Sequence, residues 1–136
     1  MLFRSEGAQI TSDDWDFFYR CYCQTYREHH STPYLTRVFF DRMARAMAEN
    51  WLLFLAEIDG QHIAASLICI DPLRKVAFGR YWGALEHIPC LHFEACYYRP
   101  LAWCIANGYV RFEGGAQGEH KMARGLLPTK IGRAHV

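Results

Sequence analysis

Apolar residues in the first third of the chain recur at helical spacing. In TSDDWDFFYRCYCQTYREHH, residues Trp15, Phe18, Tyr19, Tyr22 and Tyr26 form one aromatic stripe. Thr11 or Ser12 stands as the N-cap, with acids in the first turn. The helix is expected to stop before Pro33, because a residue preceding proline avoids helical dihedrals. A second helix is predicted from about Thr36, with Phe39, Met43, Ala46 and Met47 on one face. Both stripes read most simply as core. From Trp51 the period changes. WLLFLAEI and QHIAASLICI flank Asp59-Gly60, a hairpin signal, and DPL turns into a third strand, KVAFGRYWGA. Three strands joined this tightly predict an antiparallel meander. Their nearly continuous apolar character predicts helices over much of the sheet.

LHFEACYYRPLAWCIANG predicts a third helix, with Phe93, Tyr97, Leu101, Cys104 and Ile105 on one face and Gly108 at C′. Pro100 removes one ladder bond and predicts a kink that frees the Cys96 carbonyl. YVRFE is then a fourth strand, and a helical crossover makes it parallel to its neighbour. Gly114, Gly115 and Gly118 lead into a short helix ending at Gly125, and LLPT opens a further strand.

The chain has 136 residues, enough for one domain with a core. Its formal charge of +1 gives no bulk attraction to nucleic acid or to a membrane. No apolar run approaches the roughly 20 residues of a spanning helix, and no signal-peptide pattern is seen, so a cytoplasmic location is expected. Cysteines at 21, 23, 69, 90, 96 and 104 have no zinc-like spacing and read as buried reduced thiols. No P-loop, H-E-x-x-H, G-x-S-x-G or dinucleotide fingerprint is present.

The two ends differ in texture from the rest. MLFRS and IGRAHV read as translated sequencing adapters, which sets aside Met1–Ser5 and Ile131–Val136, with Lys130 partly included. The expectation is an internal slice, Glu6–Thr129, of a longer protein, C-terminally truncated within its sheet.

Groups able to hold an anion or move a proton collect in RFEGGAQGEHKMARGLLPT. A strand–glycine–helix junction offers the backbone N–H groups of Gly114, Gly115, Gln117 and Gly118. Lys121 and Arg124, three residues apart, project from one side of the helix. Together they suit a phosphate or the oxyanion of acyl transfer; a glycine turn with a solvated charged face is the alternative. Transfer to an amine also needs a proton acceptor. His120 and Glu113 are the candidates, and Glu119 reads rather as a cap or surface charge. Glu94, among His92, Phe93, Tyr97 and Tyr98, is either a structural anchor or a base, and the two tyrosines either anchor it or line a groove. Arg80 interrupts an apolar strand and, if buried, needs a partner, with Glu94 and Glu113 the nearest guesses. Tyr81 and Trp82 are core or ligand platform. His29-His30 and the STPYL loop either join an acceptor site or simply favour a helix end.

The element order resembles the GNAT (acyl-CoA N-acyltransferase) α/β fold: an antiparallel meander, a crossover helix and a parallel strand. GRYWG, LHFEACYY and GAQGEHKMARG are similar to segments of the bacterial FemAB-like family of predicted N-acyltransferases, of peptidoglycan biosynthesis or recognition type. The likeness runs from Ile10 to Thr129 and implies the C-terminal unit of a two-unit protein, with an upstream GNAT-like unit as partner. It implies transfer of an acyl or aminoacyl group to a primary amine, without metal, DNA or covalent intermediate; a non-catalytic module recognising a cell-wall peptide or amino sugar is the alternative. Fem-type relatives carry a functional lysine in the matching FK segment, which supports Lys121, although His120 replaces the phenylalanine. The donor is left open between aminoacyl-tRNA and acyl-CoA, RNA being met only through a tRNA donor. Where acetyl-CoA users have a Gly-rich pyrophosphate loop, this chain reads WGALEHIPCLHFE, with Glu86 opposing an anion. This counts against acetyl-CoA, and the aminoacyl transfer from tRNA by Fem-type relatives makes an aminoacyl or other acyl ester plausible, while the near-neutral charge adds no support for RNA binding.

Overall fold

The structure, a computed structural model, describes residues 2–114. Strand β1 (Leu2–Glu6) precedes helices α1 (Ser12–Glu28) and α2 (Arg37–Ala46). Strands β2 (Trp51–Ile58), β3 (Gln61–Asp71) and β4 (Val76–Ala84) follow. Then come α3 (Leu91–Phe93), a π-helical segment (Glu94–Tyr98), α4 (Arg99–Ala106) and β5 (Arg111–Glu113). The sheet order is β1-β2-β3-β4-β5, antiparallel except for the parallel β4–β5 pair.

Helix α1 starts as its sequence requires. Thr11 Oγ1 accepts from the Asp14 N–H and Asp14 Oδ2 from the Thr11 N–H, a reciprocal capping box. Thr36 caps α2 by accepting from the Phe39 N–H. In α2 the buried ring is Phe40, while Phe39 is 37% exposed. The buried stripe is thus one residue later than its predicted start: two adjacent phenylalanines left the phase ambiguous, and packing against Trp15, Phe18 and Tyr22 selects Phe40. The β2–β3 hairpin closes through Asp59 and Gly60, both at positive φ (52° and 79°). Asp71 Oδ1 accepts from the Leu73 and Arg74 N–H groups and shapes the next turn.

Alternate residues of β2 and β3 enter cores on opposite sides. Trp51, Leu53, Leu55, Ala65 and Leu67 pack under α1 and α2. Leu52, Phe54, Ile68 and Ile70 pack under Tyr97, Trp103 and Cys104 of the α3–α4 run. Both faces are covered, so the strands read as nearly unbroken apolar runs. The α3–α4 run also departs from its predicted face, since Ile105 is 58% exposed and Trp103 and Pro100 are buried instead. The turn before Pro100 is π-helical, which accommodates the missing proline N–H. Gly108, at φ 74°, ends the helix as predicted.

Strand β1 forms the edge of the sheet and takes in Leu2–Ser5, read on sequence as adapter-derived, together with Glu6. Main-chain groups along β2 will pair with any extended segment, whatever its side chains. Trp103 Nε1 donates to Glu6 Oε2 at 3.2 Å across that edge.

Candidate functional site

The parallel pairing of β5 with β4 is short, Val76–Phe78 against Arg111–Glu113. Beyond Phe78, β4 keeps β3 on one side and, among the described residues, has no strand on the other. A cleft of about 480 Å³ opens there. Its walls come from α1 (Tyr22, Tyr26, Glu28), from β4 (Gly79, Arg80, Tyr81, Trp82) and from the α3–α4 run (His92, Cys96, Tyr97), with Gly114 at its edge.

A β-bulge builds the β4 wall. Gly79 lies opposite Ile68 and Tyr81 opposite Leu67, so Arg80 is the extra residue. The inserted residue reverses the alternation. Ala77 belongs to the core under α4, whereas Tyr81 packs with the core under α1. Tyr81 stands 5.5 Å, centroid to centroid, from Tyr22, and Trp82 stands 5.2 Å from His92 on the other side. Gly79 stands at the bulge, where a Cβ would make only ordinary contact with Gly114, at 3.5 Å.

Helix α1 is locked to this wall at two points. Thr25 Oγ1 donates to the Trp82 carbonyl at 2.9 Å, and Gly83 meets the Cys21 carbonyl with no space for a side chain. Tyr22 donates to Tyr26 Oη at 3.2 Å and accepts from the Leu35 N–H at 3.1 Å, tying the wall to the α1–α2 loop. At the mouth, Glu28 Oε2 and His87 Nε2 are 3.0 Å apart. On the floor, the Ser66 hydroxyl is buried and has no hydrogen-bond partner among the described residues.

Burial holds the cleft phenols neutral. The Tyr97 hydroxyl is pushed up to about 12 by desolvation, with Cys96 adding in the same direction. Burial raises Tyr22 further, reinforced by its bond to Tyr26. Burial also raises the Cys69 thiol, against an opposing pull from the Arg80 guanidinium.

Among the residues singled out from sequence, Arg80, Trp82, Tyr97 and Gly114 meet in the cleft, together with Tyr81 and His29. Glu94 and Tyr98 do not line it: Glu94 is exposed and paired with Arg99 at 3.3 Å, and Tyr98 is 44% exposed. Glu113 is paired with Arg111 at 3.4 Å. Arg80 is not a buried charge bonded to either acid. The bulge lifts it to an exposed position, which removes the need for an internal partner. Gly115, Gln117, Gly118, Glu119, His120, Lys121 and Arg124 lie outside the described residues. Thr25, Glu28, Ser66 and His87 were not singled out from sequence, and Tyr22 was read only as part of the core stripe. The one available signal was Gly79, since an isolated glycine within a strand pattern marks a bulge.

All six cysteines are free. Cys21 and Cys104 are fully buried, but Cys90 is exposed, contrary to the expectation of uniform burial: it sits at φ 67° just before α3, outside any packed face. Among the described residues no group of three His, Cys, Asp or Glu side chains could hold a metal ion, and no helix is long and apolar enough to cross a membrane.

Residues 2–136 match the FemAB-like family, described as peptidoglycan biosynthesis/recognition. No curated protein matches in sequence. Among solved structures, the chain is similar to the ribosomal-protein-S18-alanine N-acetyltransferase from Escherichia coli. That match has a TM-score of 0.57 at 14% identity and covers 90% of this chain and 73% of the other. It is also similar to a probable acetyltransferase, with a TM-score of 0.58 at 15% identity, covering 92% and 84%. At these identities the likeness is one of fold: a five-stranded mixed sheet of the GNAT acetyltransferase type.

Proposed function

Since this chain belongs to the FemAB-like family, we propose that it moves an acyl or aminoacyl group onto a primary amine, in the modification of peptidoglycan precursors. The supporting observation is the cleft where β4 leaves β5, because it puts strand backbone that is unpaired among the described residues beside a bulge and a polar mouth. A carbonyl donor lying along β4 would find main-chain N–H groups at the bulge, the kind of fixed dipole that stabilises a tetrahedral oxyanion.

The chemistry follows from the reactants. The incoming ammonium must lose a proton before its nitrogen can attack the carbonyl carbon. At the cleft mouth, a carboxylate within hydrogen-bond reach of an imidazole, Glu28 with His87, is one acceptor; His120 and Glu113 are the others. Attack forms the new C–N bond, and collapse of the intermediate breaks the bond to the leaving oxygen or sulfur, which takes up a proton. The neutral phenol of Tyr97 is suited to supply it. Lys121 and Arg124, with the backbone from Gly114 to Gly118, would hold the donor and share the oxyanion charge. Aminoacyl-tRNA and acyl-CoA are the two donor classes in play.

Incubation with each donor and a panel of amino-bearing cell-wall precursors, read by mass spectrometry, tests this reading. The expected result is a new amide with one donor class, falling ~100-fold in rate in Lys121→Ala, as for loss of one oxyanion donor. Turnover within a few fold of wild type in Lys121→Ala rejects the role given to that residue. Precursor binding with no amide from either donor favours a recognition module instead.

A further inference from the structure

Arg80 is placed by the β4 bulge with no residue opposite it, a device that re-aims a side chain. Its guanidinium lies 5.7 Å from the Tyr81 ring centroid, on the wall of the cleft. A cation–π contact of this kind favours holding the guanidinium beside the ring. Among the described residues Arg80 makes no ion pair. Glu28, the one acid lining the cleft among the described residues, is held by His87 at 3.0 Å. Glu94 and Glu113 are committed to Arg99 and Arg111. Among the described residues the cleft is thus lined by one arginine, Arg80, and one carboxylate, Glu28, which is already engaged with His87. Beneath them the Ser66 hydroxyl, 1% exposed, has no hydrogen-bond partner among the described residues, a second observation that points to a polar ligand atom in this cleft.

We propose that Arg80 anchors an oxyanion of the ligand, a carboxylate or a phosphate, at the β4 bulge. The inference rests on the reading of the cleft as the transfer site and narrows its substrates. Either the donor presents a phosphate there or the amine acceptor carries a carboxylate. A guanidinium fork suits both through paired N–H···O bonds.

Binding of simple probes to the full chain separates these sources. Inorganic pyrophosphate represents the phosphate; glycylglycine and its C-terminal amide differ only in the carboxylate. Each is titrated by NMR into wild type, Arg80→Gln, Arg80→Lys and Arg74→Gln, the last altering an exposed turn arginine away from the cleft. Wild type is expected to bind pyrophosphate, or glycylglycine but not its amide, with shifts in the β4 amides. Arg80→Gln should weaken that binding by ~10-fold or more, the worth of a hydrogen bond to a charged group. Arg80→Lys should fall between, and Arg74→Gln should match wild type. The inference is overturned if no probe binds, or if Arg80→Gln binds as well as wild type. The transfer assay keeps the two readings apart. Amide formation unchanged in Arg80→Gln removes the anchor and leaves the transferase, whereas anion binding without any transfer does the reverse.

Discussion

Gly83 faces the Cys21 carbonyl so closely that any Cβ would collide with the main chain of α1. The collision is with backbone, which cannot swing aside. Gly83→Ala is therefore expected to lose ~3 kcal/mol of stability, the upper range for overpacking, read as a lower urea midpoint at unchanged slope. An alanine variant as stable as wild type would mean that α1 sits farther from β4. The buried thiols give a second residue-scale test. Desolvation pushes Cys21 and Cys104 up to about 12 from an ordinary value of 9.0. With the folded value the higher one, their stabilising effect is complete below pH 9 and is lost as pH rises toward 12. The loss is about 1.4 kcal/mol per pH unit for each thiol. Native protein at pH 8 should thus be alkylated at exposed Cys90 and spared at Cys21 and Cys104, and its urea midpoint should fall between pH 9 and 11. Rapid labelling of Cys104 in the native state would contradict the packing of α4.

At the scale of elements, what could be read in the sequence was whatever depends on neighbours along the chain. Thr11 and Asp14 cap α1 through contacts within one turn, and Asp59-Gly60 closes its hairpin locally, so both were visible in the order of residues. Thr11→Ala should accordingly cost about 1 kcal/mol, measured as a drop in melting temperature, with Ser12→Ala as the neutral control. Features set by distant partners were not visible. Phe39 and Phe40 are equivalent candidates until the aromatic cluster selects one. Residues 2–5 of β1 read as translated adapter, yet β2 pairs with them along its open side. The bulge at Arg80 and the π turn before Pro100 each depart from a regular period, and both border the cleft. That agrees with the general tendency of such irregularities to mark functional positions.

For the molecule as a whole, the α/β order and a parallel strand after the crossover helix followed from the sequence, because hydrophobic period and the crossover constrain them; that its partner is β4 did not. Nor did the composition of the cleft, since Tyr22, Ser66, Trp82, His87 and Tyr97 meet only after α1, β3, β4, the loop after β4 and the π-helical segment have packed. Sequence reasoning found Trp82, Tyr97 and Arg80 by their unusual company. It passed over Glu28 and His87, which are 59 residues apart and ordinary in isolation. Hydrogen exchange on the full chain with and without the donor that supports transfer would locate the reaction most directly. The cleft account predicts slowed exchange at the amides of residues 79–84 and 92–97, with β1 and the β2–β3 turn unchanged. Protection confined to other parts of the sheet, with the β4 amides exchanging as before, would contradict it.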